Sequence, residues 1–314
     1  MEALLLSIPS YAPLAARLAA EAGLAQGEVE RRTFPDGERY QRLACDVRDR
    51  DVVLLAGTPG DLETLEAYDL ACAIVRSGAA RLTWLCPYFG YQTMERATRP
   101  GEVVVAKTRA RLISAVPAPP GGLRVVLCDL HAPGIPHYFG DAVTAYHLYA
   151  KRLACEGARA LAGDGFVLAA PDAGRVAWVS SLARDLGVPC VFATKRRLSG
   201  EQVEHTGVHA AEGGIAGKTV VIYDDMIRTG GTLLEAARAF RAQGATRVLA
   251  VATHLVLPGD ALARLLADGA IDAVAGTDTH PRARALEGPH LTVRSVAPLL
   301  AAWLRGDDGE LAPR

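Results

Sequence analysis

Between residues 220 and 240 the chain reads VVIYDDMIRTGGTLLEAARAF: an apolar run, two adjacent acids, a glycine-bearing loop, and a helical stripe of Leu233, Ala237 and Phe240. A strand, a turn and a helix in that order place the backbone N–H groups of Thr229 to Thr232 at a helix N-terminus. There they lack intrahelical acceptors and face anions. Gly230 and Gly231 let a ligand come close, the hydroxyls of Thr229 and Thr232 add donors, and Arg228 adds a cation. Asp224 and Asp225 stand at the carboxyl end of the strand, where open parallel sheets bind ligands, and can accept hydrogen bonds from vicinal hydroxyls. An anion cradle beside acceptors for vicinal hydroxyls fits a phosphorylated ribose. A lone Thr-Gly-Gly would read equally well as a plain strand-to-helix turn; the complete string does not.

Three further groups could carry chemistry. Phe34-Pro-Asp-Gly-Glu38 is a good turn former in any protein. His131 follows an apolar strand end in RVVLCDLHAPG and by itself reads as a structural histidine. Lys195, Arg196 and Arg197 read alone as a solvated face; placed after a strand at the carboxyl edge of a sheet they form a phosphate clamp.

The elements that must position these residues are short Val, Ile and Leu runs. They recur at Ala3 to Ile8, Val52 to Ala56, Leu82 to Cys86, Arg124 to Leu127, Phe166 to Ala170, Cys190 to Ala193, Thr219 to Tyr223 and Val248 to Ala252. Each reads as a buried strand. Helical stripes lie between them, at Leu14, Leu18, Ala19 and Ala22, at Leu65, Tyr68, Leu70 and Ile74, and at Leu182 to Leu186. Alternation of this kind makes parallel sheets. The pattern runs twice, with a change near Ala150 to Gly165, and in both halves a strand ends in acid, at Asp129 and at Asp224. We therefore expect an α/β chain of two lobes, 1–149 and 150–314, with a final helix near 295–305 and a polar tail.

A chain of 314 residues is long enough for two cores. With 34 basic and 35 acidic residues, charge gives no reason to expect nucleic-acid or membrane-surface binding. Six scattered cysteines lack metal-ligand spacing and read as buried thiols. No stretch has the roughly 18 to 20 apolar residues of a membrane span, and the expected location is cytoplasmic.

The loop from Asp224 to Thr232 resembles the phosphoribosyl-diphosphate signature of type I phosphoribosyltransferases and ribose-phosphate pyrophosphokinases. The whole chain resembles the latter family. Its FSDGE box stands as FPDGE at Phe34 to Glu38, PYFGYARQDR as PYFGYQTMER at Pro87 to Arg96, and DLHAPQ as DLHAPG at Asp129 to Gly134. SPDxGG follows as APDAGR at Ala170 to Arg175, the loop KRR as Lys195 to Arg197, and SVAPLL as Ser295 to Leu300. The resemblance implies two tandem type I phosphoribosyltransferase-like lobes, each a mainly parallel sheet flanked by helices.

It implies transfer of the diphosphoryl group of ATP to the C1 hydroxyl of ribose 5-phosphate, giving 5-phosphoribosyl 1-diphosphate and AMP. Phe34, Asp36 and Glu38 would meet the adenine and ribose of ATP across a subunit contact, in a homo-oligomer, with Arg96 and Arg99 also on the nucleotide. His131 and Asp172 would hold Mg²⁺ and the nucleotide phosphates. Lys195 and Arg197 would be the catalytic cations, with His131 beside them. Asp224, Asp225, Arg228, Thr229, Gly230, Gly231 and Thr232 would take ribose 5-phosphate.

The chain departs from the family boxes at several places. An Arg-Gln pair is Thr93-Met94, which removes a contact worth about 1.5 to 3 kcal/mol. Gly-Ala-Lys-Arg is Arg175-Val176-Ala177-Trp178, a regulatory-site arginine is Gly101, and the third acid of the signature is Arg228. Two alternatives are a non-catalytic regulatory homologue and a phosphoribosyltransferase. Retention of His131, Asp172, Lys195 and Arg197 argues against the first; the second leaves Phe34 to Glu38 and the first lobe without a purpose.

Overall fold

The apolar runs form the parallel strands expected of them. A computed structural model describes residues 3–197, 203–210 and 214–307, with backbone alone for 194–197 and 203–210. It divides into two units, the first comprising 1–149 and 296–312, the second chiefly 150–295.

In the first unit the described strands are β1 (Leu4–Ser7), β2 (Ala25–Gln26), β3 (Val29–Thr33), β4 (Arg39–Leu43), β5 (Asp51–Leu55), β6 (Arg81–Cys86), β7 (Leu123–Cys128) and β8 (Val143–Leu148). Six of them make one sheet in the order β2-β1-β5-β6-β7-β8, every pair parallel. β3 and β4 form a separate antiparallel hairpin. Helices α1 (Ala12–Ala22), α2 (Asp61–Arg76) and α3 (Val105–Ile113) belong to this unit. The buried stripe of α2 runs through Thr64, Ala67, Leu70, Ala71 and Ile74, not through Leu65, which is exposed, or Tyr68, which is half-buried. Glu66 is buried on that stripe because Arg31 and Arg39, from the hairpin, pair with its carboxylate at 3.3 Å.

The second unit holds α4 (Lys151–Ala162), β9 (Val167–Ala170), α5 (Val176–Leu186), β10 (Cys190–Arg197), β11 (Val203–Ala210), β12 (Thr219–Ile227), α6 (Gly231–Ala242), β13 (Arg247–Leu255), α7 (Ala261–Ala267), β14 (Ala273–Thr277) and β15 (Leu291–Arg294). Among the described residues its sheet runs β11-β10-β9-β12-β13-β14-β15, parallel except for β10 with β11. Both faces are apolar, with the period of two that a strand dictates. Val167, Val220, Ile222, Val248 and Ala250 pack with Leu233, Ala237 and Phe240 of α6. Leu168, Val221, Tyr223 and Leu249 pack with Ala158 of α4 and Val179 and Leu182 of α5. Two tandem lobes with mainly parallel sheets are thus the observed architecture.

The last described helix, α8 (Ala297–Leu304), corrects the expected boundary, because it belongs to the first unit. Trp303 meets Tyr146 edge-on at 5.2 Å, and Arg305 donates to the Glu21 carbonyl at 3.0 Å. Its mixture of Ala, Leu and Trp buries nearly all round, so sequence proximity to the second lobe does not decide which core it joins. The six cysteines are unbridged thiols; Cys86 and Cys128 are buried and the other four half-buried. Burial pushes the Cys86 thiol up to about 12, which keeps it protonated.

Candidate active site

β12 carries its acids to the carboxyl end of the second sheet. By the strand's alternation Asp225 shares the face of Val221 and Tyr223, the face that α5 covers. Asp225 is 4% exposed, and its Oδ2 lies 2.5 Å from Nη2 of Arg175. The same guanidinium reaches Asp224, with Nε 3.4 Å from Oδ1. Backbone N–H groups also donate to the pair: that of Asp225 to Asp224 Oδ1 at 2.9 Å, and that of Met226 to Asp225 Oδ1 at 3.0 Å. Burial first, and then the neighbouring Asp225 charge, push the Asp224 carboxyl well above its ordinary range, while Arg175 pulls it back. The sequence marked both acids as open acceptors for a sugar; the fold makes them a half-buried and a buried carboxylate under one arginine.

Beyond the acids the chain turns into α6. The Ile227 carbonyl accepts from the N–H groups of Val256 and Leu257, each at 3.1 Å, which ties the start of the loop to the end of β13. Gly230 is the N-cap, with φ of 81°, and no side chain caps the helix. A Cβ at Gly230 would come within 2.6 Å of Leu265 Cδ1, so both the turn and the packing require glycine there. Arg228, Thr229, Gly231 and Thr232 are exposed, and a Cβ at Gly231 would meet nothing within 4 Å. Uncapped N–H groups and accessible hydroxyls at the start of a 12-residue helix fit a phosphate.

Asp172 sits after β9 and caps the short turn Ala173–Arg175 by accepting from the Gly174 N–H at 2.9 Å. That turn delivers Arg175 to the acids at the start of α5. Lys195 and Arg197 fall at the end of β10, opposite His205 and Val203; their side chains lie outside the described residues.

The first unit ends β7 differently. Asp129 is buried with φ of 43°, and its N–H donates to the Leu148 carbonyl at 2.8 Å. The next two N–H groups are taken by side chains: Leu130 donates to Nε2 of His147 and His131 to Oε1 of Gln92, both at 2.8 Å. His131 itself is half-buried. Gln92 is buried, and its Nε2 has no hydrogen-bond partner among the described residues. Gln92 and His147 thus hold the backbone at Leu130 and His131, contacts the boxes alone do not indicate. Gln92 stands inside PYFGYQTMER, where the family box has alanine, and that departure was the available signal.

Phe34, Asp36 and Glu38 come together in the β3–β4 hairpin turn. Phe34 N–H donates to the Glu38 carbonyl at 2.8 Å, and Glu38 N–H to Asp36 Oδ1 at 3.1 Å. Phe34 is 39% exposed, meets Tyr40 edge-on at 6.4 Å, and has the Arg32 guanidinium 4.9 Å from its ring centre. Arg96 and Arg99 are exposed; Arg96 Nε lies 3.4 Å from Glu95.

Residues 3–116 match the N-terminal domain of ribose phosphate pyrophosphokinase, and residues 149–271 match the phosphoribosyl transferase domain. A ribose-phosphate pyrophosphokinase of Methanopyrus kandleri is 37% identical over 272 residues, 85% of this chain and 89% of that protein. The one of Chromobacterium violaceum is 35% identical, covering 90% of this chain and 85% of its own. A solved phosphoribosylpyrophosphate synthetase of Mycobacterium smegmatis superposes with a TM-score of 0.83 at 31% identity, covering 98% of both chains. With its two mainly parallel sheets, its uncapped turn into α6 and its near full-length relatives, this chain belongs to the ribose-phosphate pyrophosphokinase family.

Proposed function

We propose that the protein transfers the diphosphoryl group of ATP to ribose 5-phosphate, giving 5-phosphoribosyl 1-diphosphate and AMP. The observation that carries this is the uncapped start of α6 directly after Asp224 and Asp225, in a chain whose relatives span nearly its whole length.

In this reading the 5-phosphate sits on the N–H groups and hydroxyls of Thr229 to Thr232, beside Arg228. The acid pair accepts the ring hydroxyls and turns C1 outward. The C1 hydroxyl oxygen attacks the β-phosphorus in line and gives up its proton to solvent, the bond from that phosphorus to the oxygen bridging the α-phosphate breaks, and AMP leaves with that oxygen. Lys195 and Arg197 cover the transferring oxygens, where positive charge stabilises what develops in the transition state. Phe34 stacks on adenine, Asp36 and Glu38 accept from the nucleoside, and Arg96 and Arg99 meet its phosphates. Phe34 does so from a neighbouring subunit, which makes the working form a homo-oligomer.

Among the described residues no three His, Cys, Asp or Glu side chains converge into a metal cage. One carboxylate and one imidazole, at Asp172 and His131, are as many protein groups as Mg²⁺ takes, because it keeps several waters and draws its remaining ligands from substrate phosphates. His131 and Asp172 are the residues we assign to it. When bound, the ion neutralises the polyphosphate charge. No described helix is long and apolar enough to cross a membrane, and a cytoplasmic location completes the proposal.

Incubation with ATP, ribose 5-phosphate and Mg²⁺ tests it. AMP should form one-to-one with the sugar diphosphate, and Lys195→Ala should lower the rate by about a hundredfold or more. Absence of AMP with every nucleotide donor would contradict the proposal.

A further inference from the structure

The family box places glycine where this chain has Arg175, and the fold gives that arginine a defined task. It leaves the turn that Asp172 caps, enters at the start of α5, and is mostly buried, with its side chain 18% exposed. One planar guanidinium spans two carboxylates, 2.5 Å from Asp225 and 3.4 Å from Asp224. Such a fork fixes direction as well as charge, which a lysine ammonium does not.

Two neighbouring carboxylates at a buried strand end repel each other and are costly to keep ionised. Backbone donors hold one oxygen of each, Asp224 Oδ1 and Asp225 Oδ1. Arg175 supplies balancing charge: without it Asp224, already pushed upward by burial and by Asp225, would lose the cation that pulls it back. A protonated or rotated Asp224 would be a poorer acceptor for a sugar hydroxyl.

We propose that Arg175 is a positioning residue for the acceptor sugar, holding Asp224 and Asp225 in the orientation that receives the vicinal hydroxyls of a pentose phosphate. The proposal rests on the reading of the α6 turn as the sugar phosphate site. It assigns Arg175 to binding and leaves phosphoryl transfer to other residues. The chain thus carries within its own sequence a cation for its acid pair, at a place where the family box leaves only backbone.

The test is calorimetric titration of the full chain with ribose 5-phosphate, and separately with ATP, for the wild type, Arg175→Gln and Arg175→Lys. Arg175→Gln should weaken ribose 5-phosphate by about tenfold or more, with ATP affinity within twofold. Arg175→Lys should fall between glutamine and wild type. Unchanged ribose 5-phosphate affinity in Arg175→Gln would overturn the proposal, as would equal losses for both ligands. If Arg175→Gln does not fold by its circular dichroism melt, the lysine variant decides alone: weaker ribose 5-phosphate binding supports the assignment, wild-type binding overturns it. The outcomes separate from those of the catalytic assay. A wild type that makes AMP beside an Arg175→Gln that binds normally removes only the role of Arg175. A wild type that makes no AMP but binds ribose 5-phosphate through Arg175 removes only the diphosphoryl transfer.

Discussion

In both units an interior strand carries acid at its carboxyl end, β7 just before Asp129 and β12 with Asp224 and Asp225 among its last residues before Ile227, yet the backbone donors beyond the acids have opposite fates. After β7 the N–H groups of Leu130 and His131 are consumed by His147 and Gln92, and the chain passes into a four-residue 3-10 turn, Ile135–Tyr138. After β12 the chain enters a 12-residue helix with no side-chain cap. The first arrangement ties its donors up around His131; the second leaves the start of α6 without a side-chain cap, where we propose that the sugar phosphate binds. Similar sheets therefore end in a turn whose N–H groups are paired in one unit and in an uncapped helix start in the other, and the difference lies in which groups accept a handful of N–H bonds.

The sharpest way to break this contrast is a matched pair of glycine substitutions. Gly230→Ala meets both a left-handed backbone and Leu265, and should cost about 2 to 4 kcal/mol of stability and abolish measurable ribose 5-phosphate binding. Gly134 in the first turn has φ of −79° and open space, so Gly134→Ala should stay within about 0.5 kcal/mol of wild type. Urea unfolding of the two variants checks this.

Acid should separate the units next. Burial, and then His254 and Arg282, push the His280 imidazole of the second unit down to about 4. The unfolded chain takes up this proton near pH 6.5 and the folded unit only near 4, so stability is full above about 6.5 and falls as pH drops toward 4. The loss is up to about 3 kcal/mol. His280→Gln should flatten the slope of unfolding free energy in that window.

A smaller effect is expected from Gln92→Ala. It takes the acceptor from the His131 N–H and should lower stability by about 1 to 2 kcal/mol. Ribose 5-phosphate affinity should not move, whereas Mg-ATP affinity should fall.

How much of this could be read from the sequence differs by element. The buried strands were legible because continuous Val, Leu and Ile runs leave few alternatives. The hairpin β3–β4 was not, since VERRT and RYQRL are charged and half-exposed and stand apart from the main sheet. β8, with Thr144, Tyr146 and His147 interrupting its apolar residues, was missed for the same reason. The strand, glycine turn and helix around Asp224 to Thr232 were legible because the pattern is local, nine consecutive residues. The acid pair's burial under Arg175 was not, because it joins segments some 50 residues apart. Likewise Gln92 reaches His131 across 39 residues, a contact only the fold creates.

The two turns differ most in which of them would receive the sugar phosphate, the α6 turn or the β7 turn. Titration of isotope-labelled protein with ribose 5-phosphate, followed through backbone amide resonances, tests this directly. With the sugar phosphate on the α6 turn, the largest shifts fall at Gly230, Gly231 and Thr232, and Leu130 and His131 do not move. Shifts centred on Leu130 and His131, with the α6 amides unchanged, would contradict this placement.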